Sequence, residues 1–426
     1  MVLAVHYALN QKYANFEIIV SDNSTTAECK ERNRFELEKY IEANKLLLVS
    51  PSRELSAPEH FEFALQYATG DYVLFLTDKM ILLSETLNIA AEAITKSGAE
   101  IINWTFIDFI TNNYLRPFDS GRIVTIGGLK SISLGYKEYD PLKELTYKSR
   151  GFLPRSSMKM EDYVKGKICF GCFSKELISR IISKSGSLFG GATHDYSAMV
   201  QALCLAAKCI ILDAPGIIFI SLPIDKSWGS LTHIQTAFAL RYYQAFTDPD
   251  LILGSLLVPG LYASSHNMVA HDYVKYLNLY GKYGLFFEKF WFLSIGNDLY
   301  LSNKVWTSEA ERYSQCKLFF SHLNKKLSLK IYYYYKQTLF NILNSYALNC
   351  MLEIKSAFFN NFKLFIKYIF LSNPLGQKIL DMRQKTSDML QKDLGCVVIQ
   401  CSSLEAAIKL INDRHSGEYL ERNVLK

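Results

Sequence analysis

Two acidic residues stand just past short apolar runs, where a sheet protein would place chemistry. Asp22 follows Glu17-Ile18-Ile19-Val20-Ser21, and Asp78 follows Tyr72-Val73-Leu74-Phe75-Leu76-Thr77. In open parallel sheets, ligands bind beyond the carboxyl ends of the strands. A carboxylate there can accept ribose or base hydrogens, or ligate a hard cation through oxygen. A single Asp can equally begin the next loop as an Asx turn; two on strands of one sheet favour a site. Other candidates are weaker. Cys169-Phe170-Gly171-Cys172 has zinc-knuckle spacing, but no second pair follows, and packing cysteines are the better reading. His233 and His271 could ligate a metal, or simply be satisfied core or surface residues. Ser221 to Gly229, with Lys226, Ser227 and Trp228, offers an aromatic face to an acceptor sugar, or is a connecting loop.

Three blocks resemble family 2 glycosyltransferases, which have the nucleotide-sugar-binding GT-A fold. The first is Leu9-Asn10-Gln11-Lys12-Tyr13-Ala14-Asn15-Phe16 leading into Glu17–Ser24. The second is Phe61-Glu62-Phe63-Ala64-Leu65, then Ala68-Thr69-Gly70-Asp71 through Asp78. The third is Gly191-Ala192-Thr193-His194-Asp195-Tyr196-Ser197, followed by Ile211-Leu212-Asp213-Ala214-Pro215. The likeness spans roughly 6–220. It implies a nucleoside-diphosphate leaving group whose charge must be met by a cation or fixed dipoles. The family's Asp-X-Asp device holds a divalent metal, Mn or Mg, and Asp78 matches its first acidic position. Asp195 matches the general base of an inverting transfer, or else caps the helix that follows. Asp22 matches the nucleoside-contacting position, with Asn23 beside it. Asp71 matches the Gly-Asp before the third strand, where a plain turn residue is an equal reading. Two features depart from the pattern. The motif reads Thr77-Asp78-Lys79, so the second acidic position is unmatched, and Lys79 is a candidate diphosphate contact. The chain also opens in what would be the first helix, without the family's first strand. His60 stands where such relatives often have Asn.

These residues need elements to hold them. Strands read at 17–21, 46–49, 72–76 and 101–110 alternate with helices at 26–42, 58–68 and 84–97, the last capped by Ser84. Strands separated by helices imply a mainly parallel, Rossmann-like sheet of the α/β class. Irregular sequence from about 111 to 165 reads as loops and an insertion beside the site. A strand at 168–173, helices at 174–183 and 196–207, and a strand at 209–212 follow. We expect a GT-A-like domain over 1–225, a helical extension over 226–300, and a basic, aromatic, all-helical region over 301–426. Residues 395–400 form a single candidate strand within the last part.

The 426 residues carry 47 Lys and Arg against 41 Asp and Glu, and the apolar fraction is 49%. That composition excludes a disordered chain. The charge is unevenly placed: residues 301–426 hold 18 basic and 10 acidic residues, and 317–367 alone holds eight Lys and one Glu. Lys interleaved with Phe and Tyr over 317–370 reads as a bundle core, as an anionic membrane surface, or, least of the three, as a nucleic-acid contact. No run suits a membrane span. Nine cysteines without a framework suit reduced thiols in the cytoplasm. The expected activity is sugar transfer from a nucleotide-sugar donor to a glycan or lipid-linked acceptor, as in bacterial-type surface polysaccharide synthesis, by a cytoplasmic protein resting on the inner membrane face. The other reading is a shortened, non-catalytic relative that binds or scaffolds.

Overall fold

The computed structural model describes residues 1–111, 120–126, 135–150, 160–221, 228–301, 304–325 and 396–415. The chain begins with α1 (Val2–Leu9), β1 (Ile19–Ser21), α2 (Ala27–Glu42), β2 (Leu47–Val49), α3 (Ala57–Leu65), β3 (Tyr72–Leu74), β4 (Met80–Leu82) and α4 (Thr86–Ser97). It continues through β5 (Ile101–Thr111), β6 (Gly121–Ile126), β7 (Tyr136–Tyr139), α5 (Pro141–Ser149), α6 (Met160–Val164), β8 (Gly171–Ser174), α7 (Lys175–Ser185), α8 (His194–Leu205) and β9 (Cys209–Ser221). Helices α9 (Trp228–Ile234), α10 (Thr236–Gln244), α11 (Pro249–Ser255), α12 (Ser265–Leu279), α13 (Glu288–Leu299) and α14 (Glu309–Asn324) follow, and β10 (Cys396–Cys401) and α15 (Leu404–His415) close it.

The α/β class holds, but the sheet is not mainly parallel. Its spine is the parallel pair β5–β9, the two longest strands. On the free edge of β5, β8 pairs at the start and β6 at the end; on the free edge of β9, β7 pairs at the start and β4 at the end. Then β3 adds to β8 and β10 to β6. All six of these pairings are antiparallel. Short strands such as β6 fold back on a long neighbour, which needs no crossover helix. The βαβ reading survives in β1–α2–β2, whose strands pair in parallel as a separate two-stranded sheet. Helix α1 lies between the two sheets. Its Ala4 joins the cluster of Ile81, Leu83 and Ile218, while Val5 joins Val20, Leu37 and Leu46.

Two further expectations are corrected. Ser84 does not cap α4, which starts after Glu85 without a side-chain cap; the Ser84 hydroxyl donates to Asn412 Oδ1 at 3.2 Å instead. The C-terminal part is also not all helical, because β10 pairs with β6 over Cys396–Cys401. Its partner helix α15 buries Leu404, Ala407, Ile408 and Ile411 against Ile107, Phe109 and Ile123. An amphipathic helix needs a face to cover, and the sheet end supplies it. The basic stretch beyond 325, including the break at 373–376, lies outside the described residues up to β10.

The main core runs from the sheet into the helices. Trp104, Phe173, Leu188 and Met199 share it with Val269, Tyr273, Tyr276 and Trp291. At its centre β8 passes so close to β5 that a Cβ on Gly171 would overlap the Ile102 carbonyl oxygen. Backbone cannot yield as a side-chain tip can. Gly171→Ala is therefore expected to lower stability by about 1–3 kcal/mol, the usual cost of overpacking, read as a lower urea midpoint with the slope unchanged.

Candidate active site

Helix α3 gathers the site. Its start is fixed by a capping box: Ser56 Oγ accepts from the Glu59 amide, and the Glu59 carboxylate accepts from the Ser56 amide. Four consecutive residues then reach four different parts of the chain. The Glu59 carboxylate also accepts from the Thr247 amide at 2.9 Å, beyond α10. His60 Nε2 lies 2.7 Å from Ser21 Oγ on β1. Phe61 stacks on Phe75 past β3 at 5.2 Å and on His194 at 4.2 Å. Glu62 accepts from the Phe189 amide at 2.8 Å. The ends of β1 and β3 and the loop before α8 are thereby tied to one helix.

Asp22 is buried at the end of β1. Its Oδ1 accepts from the Ser24 amide and hydroxyl at 2.9 and 2.6 Å, and its Oδ2 from Asn33 Nδ2 at 3.0 Å. Burial opposes its ionisation, but Ser24 and Asn33 together hold its pKa below the ordinary value. Asn23 spans to the next loop, donating to the Leu55 carbonyl at 2.8 Å and accepting from its amide at 3.0 Å. Asp71 is exposed in a turn, where its carbonyl accepts from the Lys175 amide. Asp78 is exposed and Lys79 half-buried, in the turn between β3 and β4. The Lys79 carbonyl accepts from the Ile220 amide at 2.9 Å, which pins that turn to the end of β9.

Asp195 lies in the first turn of α8, and the cap position is held by Thr193, not by Asp195. A helix N-terminus favours a carboxylate there. Its Oδ2 lies 3.3 Å from the Lys167 ammonium, a side chain only 3% exposed, while that of Asp195 is 26% exposed. Burial opposes ionisation of Asp195, but Lys167 and then His194 outweigh it and lower the pKa.

The loop carrying Asp195 is held from the helical part. Asp272 on α12, fully buried, accepts from the Ala192 amide at 2.6 Å, the Thr193 amide at 2.9 Å and the Thr193 hydroxyl. Burial keeps its pKa above the ordinary carboxylate value in spite of those donors. A Cβ on Gly191 would strike the Asp272 carboxylate, so only glycine lets the loop sit this close. Tyr242 on α10 donates to the Ala192 carbonyl at 2.8 Å, and Lys275 to the Gly190 carbonyl. Sequence reasoning missed Lys167, Asp272 and Tyr242. The one available signal was the Gly190-Gly191 pair before Asp195, which marks a close backbone approach.

The remaining candidates fall elsewhere. Cys169 and Cys172 are core thiols whose pKa values burial pushes to about 12. His233 Nδ1 pairs with Ser265 Oγ at 2.6 Å, and His271 Nδ1 with the Ser255 carbonyl at 2.9 Å. Residues 222–227 of the Trp228 loop lie outside the described residues.

Residues 3–173 match the family model for glycosyl transferase family 2. These residues belong to glycosyl transferase family 2. No curated protein matches the chain. Among solved structures, the chain resembles S. aureus TarS at 15% identity with a TM-score of 0.36, covering 70% of this chain and 46% of that one. The chain thus spans about half the length of that TarS structure. TarS 1–349 has 14% identity and a TM-score of 0.38, with 76% of this chain and 87% of that one covered. TarS 1–349 in complex with UDP-GlcNAc has 13% identity, a TM-score of 0.38 and the same coverage.

Asp272→Ala is expected to leave two amides and a hydroxyl without an acceptor. The expected cost is at least about 3 kcal/mol, since each of the three orphaned buried donors costs on the order of 1–3. Asp272→Asn, which keeps one acceptor oxygen, is expected to cost less; urea denaturation of both variants checks the order.

Proposed function

We propose that the chain moves a sugar from a nucleoside-diphosphate donor to a hydroxyl of a glycan or lipid-linked acceptor, with inversion. The observation that carries this reading is the family match, joined to Asp195 paired with the Lys167 ammonium at 3.3 Å, next to His194, which Phe61 stacks toward the strand end that leads to Asp78. In this reading Asp195 takes the proton of the acceptor hydroxyl as its oxygen attacks the anomeric carbon. The bond to the diphosphate breaks in line, and the nucleoside diphosphate leaves with the bonding pair. Asp22, Asn23 and Asp71 are the nucleotide-side residues; the Asp22 carboxylate keeps lone-pair capacity beyond its present partners.

Among the described residues, no three His, Cys, Asp or Glu side chains converge on a metal position. An exposed single carboxylate does fit Mg²⁺ or Mn²⁺ shared with a diphosphate, because Mg²⁺ is commonly held by one or two carboxylates plus substrate phosphates. Asp78 is that carboxylate in our reading, and the ion when bound supplies Lewis-acid neutralisation of the leaving group. Lys79 stands beside it as a further positive charge toward the diphosphate.

Phe319 and Leu323 of α14 are core residues packed with Phe292 and Ile295; the rest of the basic, aromatic stretch 317–370, beyond α14, we assign to an anionic membrane surface at the cytoplasmic face. No helix among the described residues is long and apolar enough to cross a membrane. A lipid-linked acceptor would bring the enzyme to that surface.

Calorimetric titration of the full chain with UDP and GDP, each with and without Mn²⁺, tests the donor site. One nucleotide should bind in a Mn²⁺-dependent way, with Asp78→Ala losing the Mn²⁺ dependence and Lys79→Ala weakening binding. Failure of both nucleotides to bind would favour the non-catalytic relative. Asp195→Asn should bind nucleotide normally yet lose transfer by about 10²–10⁴-fold; a full rate in that variant would remove Asp195 as the base. The full chain should pellet with anionic vesicles in a salt-dependent manner, and recovery in the supernatant would refute the membrane assignment.

A further inference from the structure

Behind Asp195 lies a buried cation that the reaction as described does not use. Lys167 Nζ sits 4.2 Å above the Tyr163 ring and 4.3 Å from the Tyr196 ring, and 3.3 Å from Asp195 Oδ2. The backbone beneath it is equally fixed. Asn103 on β5, fully buried, donates to the carbonyls of Lys167 at 3.0 Å and Phe170 at 3.2 Å. Its Oδ1 accepts from the Gly166 amide at 2.8 Å and the Tyr139 hydroxyl at 2.7 Å. Four hydrogen bonds on one buried amide leave the 166–170 turn a single arrangement. A lysine stem loses much rotamer freedom when it is ordered, and a buried ammonium is costly without partners. Both costs are met at a single point, beside the one carboxylate oxygen.

We propose that Lys167 is a positioning residue for Asp195: its ammonium holds Oδ2, keeps the carboxylate ionised, and leaves Oδ1 to meet the acceptor hydroxyl. This rests on the reading of Asp195 as the general base. A base clamped on one oxygen presents the other in a fixed direction, which is the geometric requirement for proton removal in the transition state.

The charges around the pair are few. From α8, His194 and Tyr196 face it, and from α6, Tyr163. Cys169 lies on the turn after Lys167; Tyr242 and Tyr273 approach from α10 and α12. On α5, Lys148 bears on Lys167, and burial lowers its own pKa to about 8 while Glu144 opposes that. Cys169, Tyr196, Tyr242 and Tyr273 have raised pKa values and are neutral below pH 8. His194 is pushed down by burial. Lys167 is therefore the dominant fixed charge on Asp195 through the range where the base must be ionised. An opposite charge at this distance lowers a carboxyl pKa by about 1–3 units. Removal of that cation raises it, so Asp195 is protonated, and useless as a base, up to a higher pH.

The test uses the full chain labelled with ¹³C at aspartate carboxyls, the Asp195 signal being the one lost in Asp195→Asn. In Lys167→Met its titration should move up by about 1–3 pH units, and in Lys167→Arg it should stay low. The acid limb of kcat, followed as UDP released from UDP-GlcNAc, UDP-glucose or UDP-galactose, or as GDP released from GDP-mannose, should move with it while donor KM holds. A limb that stays put while kcat falls would reduce Lys167 to a structural residue, and an unmoved Asp195 titration would overturn the proposal outright. Should Lys167→Met fail to fold, the ¹⁵Nζ signal of Lys167 in the unmodified chain should inflect at the Asp195 pKa and lose that inflection in Asp195→Asn. Absence of the inflection would also overturn it. Full transfer by Asp195→Asn would instead remove the base reading itself, which the carboxyl titration does not measure.

Discussion

A carboxylate buried without donors is costly enough to be driven to its neutral form, and Asp272 finds its donors on the loop that carries Asp195. The amides of Ala192 and Thr193 and the Thr193 hydroxyl converge on it. Those groups are the N-cap residue of α8 and the residue before it, whose buried donors would otherwise be orphaned at the helix start. One side chain from α12 thus meets two needs: its own solvation and the capping of a helix in another part of the chain. The consequence is functional. The direction of α8, and with it the position of Asp195, is set by the helical part rather than by the sheet alone.

Helix α3 imposes the second constraint. Its residues 59–62 bond or stack with Thr247, Ser21, Phe75, His194 and Phe189. Among the described residues the small β1–β2 sheet is not paired with the large one, and α3 and α1 bridge the two through side chains. A site assembled across two sheets in this way depends on packing of aromatic rings, which are strong in area and specific in geometry.

Much of this was legible beforehand where a pattern is local. The β1–α2–β2 unit, the Pro58 start of α3, the Ser174 start of α7 and the strand–helix pair at the C-terminal end all follow from alternation, capping residues and turn signals within a few positions. The pairing direction was not legible. Whether a four-residue strand such as β8 lies parallel or antiparallel on β5 depends on which long strand offers a free edge, and that is a property of the assembled sheet. Ser84 shows the same limit. A serine before a helix is a cap on statistics, yet here the hydroxyl meets Asn412 from a segment more than three hundred residues away.

The sequence by itself determined the family likeness of residues 3–173 and the acidic residues on the strand ends and before α8, because those signals are carried by short contiguous blocks. It also set where the uncompensated basic charge lies. Only the tertiary structure decided what surrounds those residues. Lys167 is separated from Asp195 by 28 positions and Asp272 from Thr193 by 79, and nothing in either local sequence marks them as partners. Ion pairs and hydrogen bonds act over a few ångströms of space, whereas a sequence records neighbours only along the chain. The partners of Asp195 and its loop therefore became visible once the fold had brought β5, the turn at 166–170, α8 and α12 together.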